Sequence, residues 1–510
     1  MSVVEAPAAR TVEPTERRPA RAAEFLLLLI ALAAGIGAFA MVGISITDEL
    51  PEGFWVKSIT LAVIAFGAHV VLRIRAPWAD QVILPAVVLL NGIGLAMILR
   101  LELADMTGAD GTRNMQWSAL GVVLAMLVVW FLRDHRWLRR FTYTAMITGL
   151  VLVVLPVIPG LGTSINGARI WITVGGMSLQ PAEFAKIAFA IFFAGYLVSN
   201  RDTLALAGKK VLGLQLPRVR DLGPILIVWV ASVAVLVFER DLGTSLLFFG
   251  LFVAMLYLAT ERFSWVLIGL FLFAAGAVVA SQMFPHVGAR MDVWLHPFAP
   301  EIFERNPGGS GQLVGGLFGM ANGGLFGAGW GEGRPFSIPY AFSDFIYASL
   351  GEELGLTGLL AILLTYLIIV ERGLRTALAV RDGFGKLLAG GLAFVMALQL
   401  FVVVGGITRI IPVTGLTLPF MAQGGSSLLA NWIVVALLLR ISDNARRPSA
   451  LPVRGQVAPG GATSEPVIVG ATPASGTPRA TAFGDRASGQ ADLPTERIQR
   501  QVNGNEGELS

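Results

Sequence analysis

Residues 246–259 read LLFFGLFVAMLYLA, with Glu261-Arg262 closing the run on its far side. A chargeless stretch of this kind suits a helix in lipid, where every backbone polar group must find its partner within the chain. With flanking Gly243, Thr244, Ser245 and Thr260 it approaches the roughly 20 residues that cross a bilayer. Comparable apolar cores begin at Ala23, Ile59, Val82, Trp117, Phe141, Phe184, Pro224, Trp265, Gly355, Leu387 and Leu428. The pattern predicts an all-α polytopic membrane protein with about 12 transmembrane helices.

Composition agrees. Hydrophobic residues make up 55% of the 510, charged residues only 14%, and mean hydropathy is +0.70. Soluble domains carry about 25% charged residues, so a water-soluble fold is a poor fit. Net charge is +4, with basic residues spread over loops and tails, which argues against a nucleic-acid surface. The absence of cysteine excludes disulfides, thiolate metal sites and cysteine nucleophiles. His69, His135, His286 and His296 form no HExxH pair, and no GxxxxGK[ST] run offers a phosphate loop, so no nucleotide is expected.

Charge sets the expected orientation. Loops after even spans hold Arg73 and Arg75; Arg133, Arg136, Arg139 and Arg140; Arg201, Lys209 and Lys210; Arg262; and Arg372, Arg375 and Arg381. Loops after odd spans are poor in basic residues, and two are acidic, around Asp48-Glu49 and Glu102-Asp105. The positive-inside rule then puts both termini in the cytoplasm. Residues 1–22 read as a disordered tail, and 442–510, rich in Pro, Gly, Ala, Ser and Thr, as another. Between them lie two N-terminal spans in 23–80 and a membrane core over 81–441. That core includes a large outer loop at 284–344.

Charges at the edges of spans need a reason, because lipid makes them costly. Gln180-Pro181-Ala182-Glu183-Phe184-Ala185-Lys186 opens the sixth span, and Glu183 and Lys186 share a helix face. They are either a neutralised pair that packs the bundle or the charged wall of a polar cavity. Asp241 and Thr244 lie three apart at a helix start, where the acid would cap the helix, within a second charged cluster that the charge rule also puts on the outer side. Arg169 sits beside Trp171 on an outer loop, where it either snorkels to headgroups or grips a phosphate. The long loop carries Arg290, Gln312 and dense glycine, and ends at Asp344. Glycine this dense lets backbone approach a ligand, and the aromatic content speaks against disorder. Asp344 is a candidate helix cap or a general base for a hydroxyl at the membrane surface.

These motifs resemble the SEDS family, the peptidoglycan polymerases that include RodA, FtsW and the sporulation homologue. The family's GSRRWI is similar to Gly167-Ala168-Arg169-Ile170-Trp171-Ile172, and its QPSEFAK to Gln180 through Lys186. QPDLGT is matched by Glu239 through Thr244, PExHTDFIFAxxxEELG by Pro339 through Gly355, and PxTGxxLPFxSYGGSS by Pro412 through Ser427. Departures occur at Glu239-Arg240, Tyr340, Phe342-Ser343 and Ala422-Gln423. None removes the acid. An actinobacterial RodA is the layout most similar, with two spans preceding the ten-helix family core.

The resemblance implies polymerisation of lipid II into glycan strands at the outer face of the bacterial cytoplasmic membrane, with release of undecaprenyl pyrophosphate. The donor brings its own leaving group, which accords with the missing nucleotide loop. Asp344 is then the expected base. Arg169, Lys186 and Arg290 would stabilise the pyrophosphate, with Gln312, Asp241 and Thr244 also in the substrate site. Glu183 would either orient Lys186 or help hold a divalent cation, magnesium or manganese, for which Glu183 and Asp344 are the candidate ligands. A class B penicillin-binding protein is the expected partner. Spans and buried charge alone would point to a lipid flippase or proton-coupled transporter. The resemblance leaves an FtsW-like division polymerase or a lipid II flippase as the alternative, and a non-catalytic scaffold that binds a transpeptidase is a third reading.

Overall fold

The computed structural model describes residues 20–165, 168–174, 177–201, 209–211, 214–216, 241–305 and 308–448. The expected apolar cores appear as α1 (Ala22–Thr47), α2 (Phe54–Arg75), α3 (Ile83–Leu103), α4 (Gly111–Phe131), α5 (Thr142–Val154) and α6 (Ala182–Ser199). After the residues not described come α7 (Leu242–Thr260) and α8 (Ser264–Met283). The large loop folds into three short helices, α9 (Pro285–Leu295), α10 (Pro300–Phe303) and α11 (Gly311–Gly323). The last spans are α12 (Ile346–Ala379), α13 (Gly383–Ile407) and α14 (Gly425–Arg446). Eleven helices among the described residues are long and apolar enough to cross a membrane. The expected span at Pro224, the two distal tails and Glu239-Arg240 lie outside the described residues.

The helices α3 and α14 lie in the interior, with most of their residues buried. Glycine lets two helices come close: Gly35 on α1 faces Gly92 on α3, where an added β-carbon would stand 3.0 Å from backbone. Small residues let helix backbones touch in lipid, where no hydrophobic drive separates helix from solvent. Asp110, Asp241 and Asp382 each cap a helix by accepting a backbone N–H, at 2.7, 3.0 and 2.7 Å.

The chain is not wholly helical. Strands β1 (Gly162–Ile165), β2 (Ala168–Val174) and β3 (Met177–Leu179) pair antiparallel, with Thr163 opposite Trp171 and Thr173 opposite Ser178. Lys209–Val211 and Leu214–Leu216 form a second small hairpin, β4 and β5. The expectation of an all-α chain therefore holds for the bundle and needs this addition at its loops.

The helix α12 is broken at Gly355, whose φ of 66° and ψ of −173° suit only glycine. The break frees backbone groups, and the glycine-rich segment after α11 takes them up. Ala328 and Gly329 donate to the carbonyls of Glu352 and Glu353 at 2.9 and 3.0 Å. In return Leu356 and Thr357 donate to Gly324 and Leu325 at 3.0 and 3.1 Å. Irregular backbone at membrane depth survives only with such internal partners.

Candidate active site

The segment between α13 and α14, residues 408–424, is the second irregular stretch, and side chains from four helices satisfy it. Arg290 Nη1 on α9 donates to the carbonyls of Val413 and Thr414 at 3.2 and 2.6 Å. Gln399 Nε2 reaches Thr417 O at 2.9 Å, Asn91 Nδ2 reaches Phe420 O at 2.9 Å, and the Tyr366 hydroxyl donates to Pro419 O. Arg409 donates to the Trp294 and Leu295 carbonyls at 2.8 and 2.9 Å, which staples the end of α9 to the same segment. Gln423 N donates to Phe342 O at 2.8 Å, and its side-chain amide spans to Gly108 O at 2.7 Å. Phe342 is two residues from Asp344, so this network fixes the approach to the acid.

Asp344 lies in the turn just before α12, half-buried. It does not cap that helix: the N-cap is Phe345, with no side-chain cap. The capping alternative therefore falls. Instead Asp344 Oδ1 accepts from Gln312 Nε2 at 3.2 Å, and the same amide donates to Pro339 O at 3.2 Å. Burial pushes the Asp344 carboxyl up to about 6, against the Gln312 hydrogen bond, the charge of Arg290 and the Ser343 hydroxyl, which pull it down. A carboxylate displaced this far by desolvation, beside a fixed cation, is a functional-site signature. Arg290 feels the carboxylates of both Asp241 and Asp344, while its own burial lowers its pKa. Asp241 holds Thr244 by Oδ2 at 2.6 Å as well as by its cap, and accepts from Gln180 Nε2 at 3.2 Å.

Asp344, Gln312, Arg290 and Asp241 thus form one electrostatic neighbourhood, with Thr244 as the partner of Asp241. Glu183 and Lys186 do not present an open charged wall. Lys186 is 1% exposed, and its ammonium donates to Glu183 Oε2 at 2.6 Å, Gln399 Oε1 at 3.0 Å and Asn431 Oδ1 at 3.1 Å. An ammonium has three donors and all are taken. The packing alternative is the one the structure shows. Arg169 stands on β2 with an exposed side chain; among the described residues it makes no hydrogen bond to Asp344 or its neighbours.

No group of three or more His, Asp or Glu among the described residues is arranged to hold a metal. Glu183 is committed to Lys186, so the pairing of Glu183 with Asp344 as ligands is not supported by the geometry.

Sequence reasoning missed Gln399 and Asn431, which complete the Lys186 cluster, and Arg409, which anchors α9. It noted Gln423 only as a departure from a motif. The strand β2 did have a signal, because Ile170-Trp171-Ile172-Thr173-Val174 is β-branched and aromatic throughout.

The fold and site define a class: a multi-pass helical membrane protein with a desolvated carboxylate held at the end of its bundle. The FtsW/RodA/SpoVE family, described as cell cycle protein, matches residues 81–447, and the chain belongs to that family. It is 49% identical over 442 residues to the peptidoglycan glycosyltransferase RodA of Mycobacterium tuberculosis (strain ATCC 25618 / H37Rv), covering 85% of this chain and 92% of that one. The Mycobacterium leprae protein of the same description is 52% identical over 387 residues, 75% of this chain and 81% of the relative. Among solved structures, a chain of a peptidoglycan synthase complex aligns with a TM-score of 0.56 at 24% identity, covering 72% of this chain and 99% of that chain. A variant of the Thermus thermophilus rod shape determining protein RodA aligns with a TM-score of 0.52 at 22% identity, with the same coverage of 72% and 99%. These structural likenesses bear on the fold alone.

Proposed function

We infer that the chain is a RodA-like peptidoglycan glycosyltransferase that joins lipid II units into glycan strands for cell elongation and shape. The observation that carries the reading is Asp344, a carboxylate held by Gln312 with its pKa raised to about 6. A group titrating there is ionised at neutral pH and basic enough to take a proton from an alcohol as it attacks.

In the proposed step the hydroxyl of one sugar attacks the anomeric carbon of the donor unit. The new C–O bond forms as the bond to the pyrophosphate oxygen breaks, and the hydroxyl proton passes to Asp344. Undecaprenyl pyrophosphate departs with the bonding electrons. Arg290 lies within electrostatic reach of Asp344 and Asp241 and is the cation best placed to offset charge growing on the leaving group. Arg169, exposed on β2, is proposed to catch the donor pyrophosphate before it reaches the acid. Lys186 is assigned to hold α6, α13 and α14 together, since Glu183, Gln399 and Asn431 occupy its donors. No step is routed through a metal ion.

The positive-inside pattern supports an outward-facing Asp344 with both termini cytoplasmic. The proposed partner is a class B penicillin-binding protein, a transpeptidase that would crosslink the strands this chain makes. The test is polymerisation of purified lipid II by the purified full chain, alone and with that transpeptidase. Product strands that vanish with Asp344→Asn support the reading, and lipid II left as monomer by the parent protein in both conditions refutes it.

A further inference from the structure

The family match begins at residue 81, so α1 and α2 stand outside the shared core, and the chemistry above gives them no task. Their outer ends make a specific contact. Phe39, Val42 and Phe54 form a small hydrophobic cluster with Ala96 and Leu99 of α3, and Trp330 packs against both this cluster and the main core. Beside it Ser45 Oγ, near the end of α1, donates to Glu332 Oε1 at 2.9 Å. Trp330 and Glu332 flank Gly331, whose φ of 85° needs glycine. The Gly331 N–H donates to Glu353 Oε2 at 3.1 Å, and its carbonyl accepts from Arg100 Nη2 at 3.1 Å. Arg100 and Glu353 are themselves a buried pair at 2.8 Å.

The neighbouring acid, Glu352, leads on to the site. Glu352 Oε1 accepts from Arg334 N at 3.0 Å and from Asn322 Nδ2 at 3.1 Å. Asn322 ends α11, and Gln312 in the first turn of α11 holds Asp344. A segment with left-handed glycines at 324, 327, 329 and 331 loses more chain entropy on ordering than ordinary backbone. It keeps one conformation only where something outside it supplies an anchor.

We propose that α1 and α2 are a brace for the outer-loop segment 330–334, and that Trp330 and Glu332 are positioning residues that keep Gln312 set against Asp344. The activity side of this proposal rests on the glycosyltransferase reading; the structural side does not. The test compares the full chain with Trp330→Ala, Trp330→Phe and, as a substitution on an exposed residue, Glu332→Ala. Two measurements are made: hydrogen exchange over residues 324–345, and kcat, KM and pH profile for lipid II polymerisation.

Trp330→Ala should speed exchange in that segment about tenfold. It should lower kcat about tenfold, as small displacements of reacting groups do, with KM within about twofold. The acid limb of the pH profile should move, because the Gln312 contact with Asp344 loosens. Trp330→Phe should recover most of both, and Glu332→Ala should act in the same direction with smaller size. Unchanged exchange in Trp330→Ala overturns the brace. If Trp330→Ala does not fold, the same reading on Glu332→Ala decides. Faster exchange with parental kcat and pH profile overturns the positioning role. A parent chain with no polymerase activity removes the functional reading and leaves the exchange result to judge the brace by itself.

Discussion

Gln312 Nε2 joins Asp344 Oδ1 to the Pro339 carbonyl, at 3.2 Å each, so one side-chain amide sets both the acid and the backbone that leads to it. A hydrogen bond to the ionised form stabilises that form and lowers the pKa. Gln312→Leu should therefore raise the Asp344 pKa above about 6 and move the acid limb of the rate profile upward by about one pH unit. Polymerisation rates between pH 5 and 8 check this.

Burial gives Asp344 a further signature in stability. Its folded-state pKa of about 6 lies above the ordinary 3.8, so between those values the unfolded chain has released its proton and the folded one has not. Stability then falls as pH rises from about 4 to about 6, by up to about 3 kcal/mol. Asp344→Asn removes this loss. The variant should melt higher than the parent at pH 7.5, with the two converging toward pH 4, as scanning fluorimetry in detergent would record.

The Lys186 cluster makes the opposite prediction. Removing one member of a buried, fully bonded pair leaves the other charge uncompensated, at a cost of about 3–5 kcal/mol. Lys186→Met should sharply lower the melting temperature and the yield of monodisperse protein. The double variant Glu183→Gln, Lys186→Met should recover much of that loss. Size-exclusion profiles of the two variants distinguish a packing role from a purely chemical one.

Arg169 is exposed on β2, so its loss leaves no cavity. Arg169→Ala should leave stability within about 0.5 kcal/mol of the parent, with the melting temperature little changed. It should raise KM for lipid II severalfold with a smaller change in kcat, measured by initial rates against donor concentration.

How far the sequence foretold this arrangement depends on the kind of force involved. Burial of apolar helices is written locally, so the span starting near Leu246 appears as Leu242–Thr260 and the one near Leu387 as Gly383–Ile407. The Asp241 cap and the Glu183–Lys186 pair follow from spacing within one helix, and both are present. Contacts between distant helices carry no such trace. Gln399 and Asn431 reach Lys186 from 213 and 245 residues away, and nothing in their neighbours marks them as its partners. The break at Gly355 was hidden for the same reason. A single glycine in a helical pattern is ordinary, and only the carbonyl and amide exchange with residues 324–329 makes it a hinge in the backbone.

The central claim is that Asp344 takes the proton. The measurement that bears on it most directly is single-turnover polymerisation of lipid II by purified parent and Asp344→Asn protein, each verified as folded by its melting curve. Loss of at least about a hundredfold in rate, with donor binding retained, is the predicted result. A folded Asp344→Asn protein that builds glycan strands at the parental rate would contradict the account.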